Sequence, residues 1–133
     1  MRCLIIVAHP LPTSLSHRFA TVARDGLVQS GHDVEWRDLY AEDFDPRLSA
    51  TERGAYYQSP HEHSQIGSHA QSLIRADMLV LAFPTWWFSP PAILKGWADR
   101  VFARGFAYLP GRKYDTGMFR GKLAMVAATT GTS

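Results

Sequence analysis

One cysteine, Cys3, is all the thiol chemistry in these 133 residues, so the chain cannot form an internal disulfide. That composition suits a reducing compartment, and the expected location is the cytoplasm. Cys3 lies within "CLIIVA" and reads as a small buried hydrophobe. No apolar run approaches the roughly 20 residues that a membrane-spanning helix needs, and the N-terminus lacks the layout of a secretory signal, so no direct membrane insertion is expected. Charge of one sign is also scarce. Fourteen basic residues against twelve acidic ones leave a net +2, and the basic residues are scattered rather than clustered. A nucleic-acid partner, which needs a basic face, is therefore not expected. Internal repeats and low-complexity segments are missing. So are the GxGxxG of a dinucleotide fold and the GxxxxGK[ST] of a nucleoside triphosphate loop.

What is present is ordinary globular material, with 46% hydrophobic and 20% charged residues, enough for a single domain over residues 1–133 with a real core. Three short runs are continuously apolar: "CLIIVA" (Cys3–Ala8), "MLVLAF" (Met78–Phe83) and "LAMVAA" (Leu123–Ala128). Continuity rather than alternation marks strands buried on both faces, as in a parallel sheet covered by helices. "DVEWRDL" (Asp33–Leu39) alternates imperfectly and suits a sheet edge. Helical spacing predicts helices over Ser14–Ser30, capped at Thr13 or Ser14 and stopped by Gly31, over Ser64–Ala76, and over Pro91–Arg104, ended by Gly105. Ile93, Leu94 and Trp97 fall on the core face of the last of these. The stretch from Tyr40 to Pro60 reads as a long connection with a short helix near Ala50–Tyr57. The order β-α-β-(insert)-α-β-α-β defines an α/β, doubly wound parallel sheet with helices on both faces.

In such sheets ligands bind beyond the C-terminal strand ends. After the first strand come His9 and then Thr13, Ser14 and Ser16 at a helix start, where hydroxyls and free N–H groups form an anion site. After the third comes "PTWWFSPP", and after the last "TTGTS". Trp86, Trp87 and Phe88 could be core by composition, but their place between a strand and a proline-led helix favours a binding loop. Together these groups describe a pocket for a phosphate-bearing flat heterocycle, which a flavin nucleotide satisfies. Three bland readings stand beside this one. Thr13 and Ser14 also serve as caps, Gly131 as a simple turn residue, and His61-Glu62-His63 as a solvated loop rather than a metal site. Asp99 and Arg100 read as surface or interface pairs.

"AHPLPTSLSHRFA", "FPTWWFSPPAILKGWADRVFARGFAY" and "GKLAMVAATTG" together resemble the flavodoxin-fold NAD(P)H:quinone oxidoreductases. That family takes in the mammalian quinone reductases, the modulator of drug activity B and the ancillary flavoproteins of potassium efflux systems. The resemblance implies a flavodoxin-like fold, FAD or alternatively FMN, and NAD(P)H as co-substrate for two-electron reduction of a quinone or similar acceptor. It also implies a homodimer, with a potassium efflux transporter as a possible partner in the regulatory branch. By the same matching, His9, Thr13, Ser14, Leu15 and Ser16 would lie near the phosphates. Pro84, Thr85, Trp86, Trp87 and Phe88 would lie against the isoalloxazine, and Thr130, Gly131 and Thr132 on its pyrimidine side. Family members continue past "TTGTS" with a further strand and helix and with the Tyr and His residues that assist hydride transfer. Four of five strands, and none of those catalytic residues, are therefore expected up to Ser133.

Overall fold

A computed structural model describes residues 1–57, 64–112 and 114–131. The chain runs β1 (Arg2–Val7), α1 (Leu15–Gln29), β2 (Asp33–Asp38), α2 (Ala50–Ala55), α3 (Ser64–Arg75), β3 (Met78–Thr85), α4 (Ala92–Val101), a 3₁₀ turn (Tyr114–Thr116) and β4 (Leu123–Thr130). The four strands form one parallel sheet in the order β2-β1-β3-β4. Cys3 sits between Val34 and Met78, and Val7 between Asp38 and Ala82.

The continuous apolar reading of β1 is met in full, since Cys3 through Ala8 are all buried. Side chains alternate across a strand, so β1 serves two cores at once. Leu4, Ile6 and Ala8 pack with Ile66 and Leu73 of α3 and Ile93, Leu94 and Trp97 of α4. Ile5 and Val7 pack on the other side with Val80, Ala82 and, from α1, Ala20. β2 takes the edge, as its weaker pattern predicts. β4 departs from expectation. Its run is as apolar as that of β1, yet Leu123, Met125 and Val126 are exposed: side chains of a strand are buried by what packs over its faces, and β4 is the outermost strand among the described residues.

Helix ends follow local chemistry. Ser14 caps α1, its hydroxyl accepting from the His17 N–H, and Gly31 takes φ +80° just past the helix end. Along α3, Ile66, His69 and Leu73 are buried as spaced, whereas Ile74 is exposed. α4 ends at Val101, short of the predicted Arg104. Phe102 leaves helical geometry because its ring packs against Trp97 and Phe119 while its carbonyl accepts from the Tyr56 hydroxyl. No helix among the described residues is long and apolar enough to cross a membrane.

The long connection after β2 is held to α4 by a buried ion pair, which corrects the surface role expected for Arg100. Its guanidinium donates to Glu52 at 2.8 Å and to the Asp45 carbonyl, and it lies over the Phe44 ring. Glu52 also closes a capping box with Ser49 at the start of α2. Burial pushes the Glu52 carboxyl up, but hydrogen bonds from the Ser49 backbone N–H and from Arg100 outweigh it and hold the group below its ordinary range. Pro46 of this connection lies flat against Gly96. A Cβ at position 96 would fall inside contact distance of the Pro46 backbone.

His69 is 1% exposed and accepts from the Trp97 indole N–H at its Nδ1, 3.2 Å away. The ring proton therefore sits on Nε2, which lies 3.2 Å from a Glu42 carboxylate oxygen without hydrogen-bond alignment. Burial, with Arg37 nearby, pushes the imidazole down to about 4.

Two outcomes follow for stability. Gly96→Ala should lose about 1–3 kcal/mol through overpacking against Pro46, against the usual helix preference for alanine. Gly54→Ala in α2, where a Cβ meets open space, should be neutral or gain up to about 1 kcal/mol; urea midpoints compare the two. His69 stays neutral in the fold while the unfolded chain protonates it below 6.5, so its contribution is complete above that pH and fades as pH falls towards 4. The loss is bounded by roughly 3 kcal/mol, and His69→Gln should flatten the stability profile across this window.

Candidate functional site

β1 leads through α1 to β2 on one side, while the return from β2 reaches β3 on the other. The loops that leave β1 and β3 therefore diverge and open a crevice at the C-terminal strand ends. His9, from the first loop, and Trp86, from the second, face each other across it with ring centroids 5.7 Å apart. His9 Nδ1 accepts the Leu11 N–H at 3.0 Å, which places the proton of the neutral ring on Nε2 and makes His9 a hydrogen-bond donor at that atom.

The first turn of α1 supplies N–H groups that no intrahelical acceptor can reach. Ser16 adds an anomaly. It is 1% exposed, and its hydroxyl has no hydrogen-bond partner. A buried orphan hydroxyl beside a helix N-terminus is the kind of vacancy in hydrogen bonding that an anionic oxygen satisfies. Thr13 is exposed and Ser14 half-buried. Behind Ser14 stands a chain of contacts that sequence reading missed. Ser14 Oγ is 2.9 Å from His17 Nδ1, and His17 Nε2 is 2.7 Å from Asp38 Oδ2. Asp38 Oδ1 in turn accepts the N–H groups of Tyr40 and Ala41. The signal available in the sequence was position alone: His17 lies one helical turn beyond the cap, and Asp38 closes β2.

β3 runs two residues further than its apolar run, through Pro84 and Thr85. Trp86 and Ser89 then close a tight turn through reciprocal backbone hydrogen bonds of 3.0 and 3.2 Å. The two residues between them are Trp87 at φ +50° and Phe88 at φ +62°. Positive φ at both central positions is the type I′ signature, normally filled by Asn-Gly. Bulky aromatics there are strained, and packing gives nothing back, since Trp87 is 93% and Phe88 98% exposed. Their reading as core is thereby excluded, whereas Trp97 is core as expected.

Between these parts lies a cleft of about 690 Å³ lined by Leu15, Pro84, Thr85, Trp86, Trp87, Thr129, Thr130 and Gly131. Register explains the convergence: Thr85 pairs with Thr130 across β3 and β4. A Cβ built on Gly131 would meet nothing, so the backbone there fronts open space. Of the expected site residues, Leu15, Pro84, Thr85, Trp86, Trp87, Thr130 and Gly131 share the cleft. His9 borders it through Trp86, while Thr13, Ser14, Ser16 and Phe88 lie outside its lining. Thr129 joins it unpredicted. Thr132 and the His61-Glu62-His63 cluster fall outside the described residues.

The strand order and the crevice at its reversal define a flavodoxin-like protein. A family model described as flavodoxin-like fold matches residues 1–133, and the chain belongs to that family. It is 40% identical to human ribosyldihydronicotinamide dehydrogenase (quinone) over 147 aligned positions, covering 98% of this chain and 63% of that protein. A candidate quinone reductase from Klebsiella pneumoniae matches at TM-score 0.88 and 36% identity, over 98% of this chain and 60% of that one. The NAD(P)H:quinone oxidoreductase of Methanothermobacter marburgensis matches at TM-score 0.82 and 31% identity, over 100% and 68%. The chain thus spans less than two thirds of the human and Klebsiella proteins.

The strained turn predicts its own release. Replacing Trp87-Phe88 with Asn-Gly should raise the stability of the ligand-free protein by about 1–2 kcal/mol, because it removes left-handed strain without losing burial. Chemical denaturation of both forms measures it.

Proposed function

We propose that this chain forms the flavin-binding portion of an NAD(P)H:quinone oxidoreductase. The observation that carries the reading is the meeting of an anion-ready helix start, with its orphan Ser16 hydroxyl, and an aromatic-bordered cleft across one crevice. The quinone-reducing activities named for the human and archaeal relatives support it.

The residues fit a flavin nucleotide, FAD or FMN. Thr13, Ser14, Ser16 and the first-turn N–H groups would hold phosphate, with His9 donating from Nε2. Pro84, Thr85, Trp86 and Trp87 would border the ring on one side, and Thr130 and Gly131 its pyrimidine edge. When bound, the flavin supplies the two-electron chemistry between a nicotinamide and a quinone. The protein's share is placement. Trp86 and Trp87 would border a flat slot in which a nicotinamide or quinone is held in register with the ring. Backbone N–H groups near Gly131, which lines the cleft, would help stabilise the negative charge that a reduced flavin carries. Trp87 and Phe88 leave the cleft open outward, and a second copy of the protein would cover them in a cytoplasmic homodimer.

The purified protein should bind FAD or FMN with quenching of tryptophan fluorescence, and oxidise NADH or NADPH when menadione is supplied. Trp86→Ala should weaken flavin binding about tenfold, equivalent to about 1.4 kcal/mol. A protein that takes up neither flavin would overturn the reading.

A further inference from the structure

The geometry points to His17 and Asp38 as positioning residues that turn the Ser14 hydroxyl towards a phosphate by holding a proton on His17. The inference rests on the reading of the α1 start as a phosphate site, and concerns how that site is controlled.

The proton count follows from the partners. Asp38 is pinned by the Tyr40 and Ala41 N–H groups at Oδ1, and its Oδ2 lies 2.7 Å from His17 Nε2. A carboxylate only accepts, so His17 Nε2 carries a proton whether the ring is neutral or charged. The variable proton is then at Nδ1, 2.9 Å from Ser14 Oγ. With a neutral ring, Nδ1 is an acceptor and the Ser14 O–H must donate inward to it. Ser14 Oγ also accepts the His17 N–H at 3.3 Å. Only a lone pair is left to face outward, which repels an anion. With a charged ring, Nδ1–H donates to Ser14 Oγ, the inward lone pairs are both used, and the O–H is free to donate to a phosphate oxygen. The same proton brings a positive charge beside the anion.

The surroundings of His17 leave this proton to Asp38 and the ligand. Asp38, at the end of β2, is the charged group in contact with the ring. Trp36 of β2 lies 6.5 Å away, with Arg24 of α1 over its indole. In the sheet Asp38 pairs with the buried, apolar Val7 of β1. His9, the other titratable group on the loop before α1, is engaged with the Leu11 N–H. The buried, unpartnered Ser16 hydroxyl marks the same helix start as the place where an anion would sit.

The test compares FAD, whose diphosphate does not titrate between pH 6 and 8, with riboflavin, which has the ring and no phosphate. On the full chain, FAD affinity should fall about tenfold from pH 6 to pH 8, the consequence of coupled uptake of one proton across the range where histidine titrates. Riboflavin affinity should stay flat. His17→Gln should remove the FAD slope and leave riboflavin binding unchanged, whereas a merely structural role would weaken both flavins and keep the slope. Imidazole ¹⁵N shifts of the wild-type protein give a readout that needs no variant: His17 Nδ1 should carry a proton in the FAD complex. A flat FAD profile, a slope retained in His17→Gln, or an unprotonated Nδ1 in the complex overturns the inference while flavin binding stands. Failure of both flavins to bind at any pH overturns the flavin reading and this inference with it.

Discussion

Burial of β1 on both faces is the constraint from which the rest of the structure follows. Leu4 and Ile6, with Ala8 just past the strand, contribute to the α3–α4 core, and Ile5 and Val7 to the α1 core. A strand so placed cannot face water, so helices must cover both sides, and each parallel partner must be reached by a crossover of fixed hand. With β2 on one flank and β3 on the other, the loops that leave β1 and β3 part company at their C-terminal ends. The crevice is thus a by-product of how the centre of the sheet is buried, and His9 and Trp86 meet there because each follows the C-terminal end of one of its two central strands.

Much of this was legible in the residues. Continuous apolarity identified β1 and β3, imperfect alternation sent β2 to an edge, and Ser14 and Gly31 marked the ends of α1. What escaped notice was of two kinds. β4 was misjudged because apolarity reports what a strand is suited to, not whether a neighbour is present to cover it. Arg100, His17 and Asp38 were missed because their roles depend on partners 48 and 21 positions away, and no local pattern encodes such pairings. The aromatic turn lay between these cases. Its position suggested a binding loop, but the left-handed backbone that makes it costly appears only in three dimensions.

Polar groups in the interior share one design. Glu52 with Arg100 joins the long connection to α4, His69 with Trp97 joins α3 to α4, and His17 with Asp38 joins α1 to the end of β2. Breaking one member of such a pair strands the other, so these contacts specify which loop lies where more than they add to net stability. The Ser49 capping box and the close approach of Pro46 to Gly96 act in the same sense. They fix the long segment after β2 against α4, leaving the crevice walls to be set by β1, β3 and β4.

The open flank of β4 has a thermodynamic meaning of its own. Leu123 to Thr130 carry no charge, proline or bulge of the sort that blunts an edge. Any strand that pairs there binds the folded sheet and not the unfolded chain. By mass action it deepens the folded state in proportion to the logarithm of its concentration, whether it arrives tethered or free. Thr130 and Gly131, at the end of that strand, also line the cleft. A strand paired along that edge would therefore also order the strand end that lines the cleft.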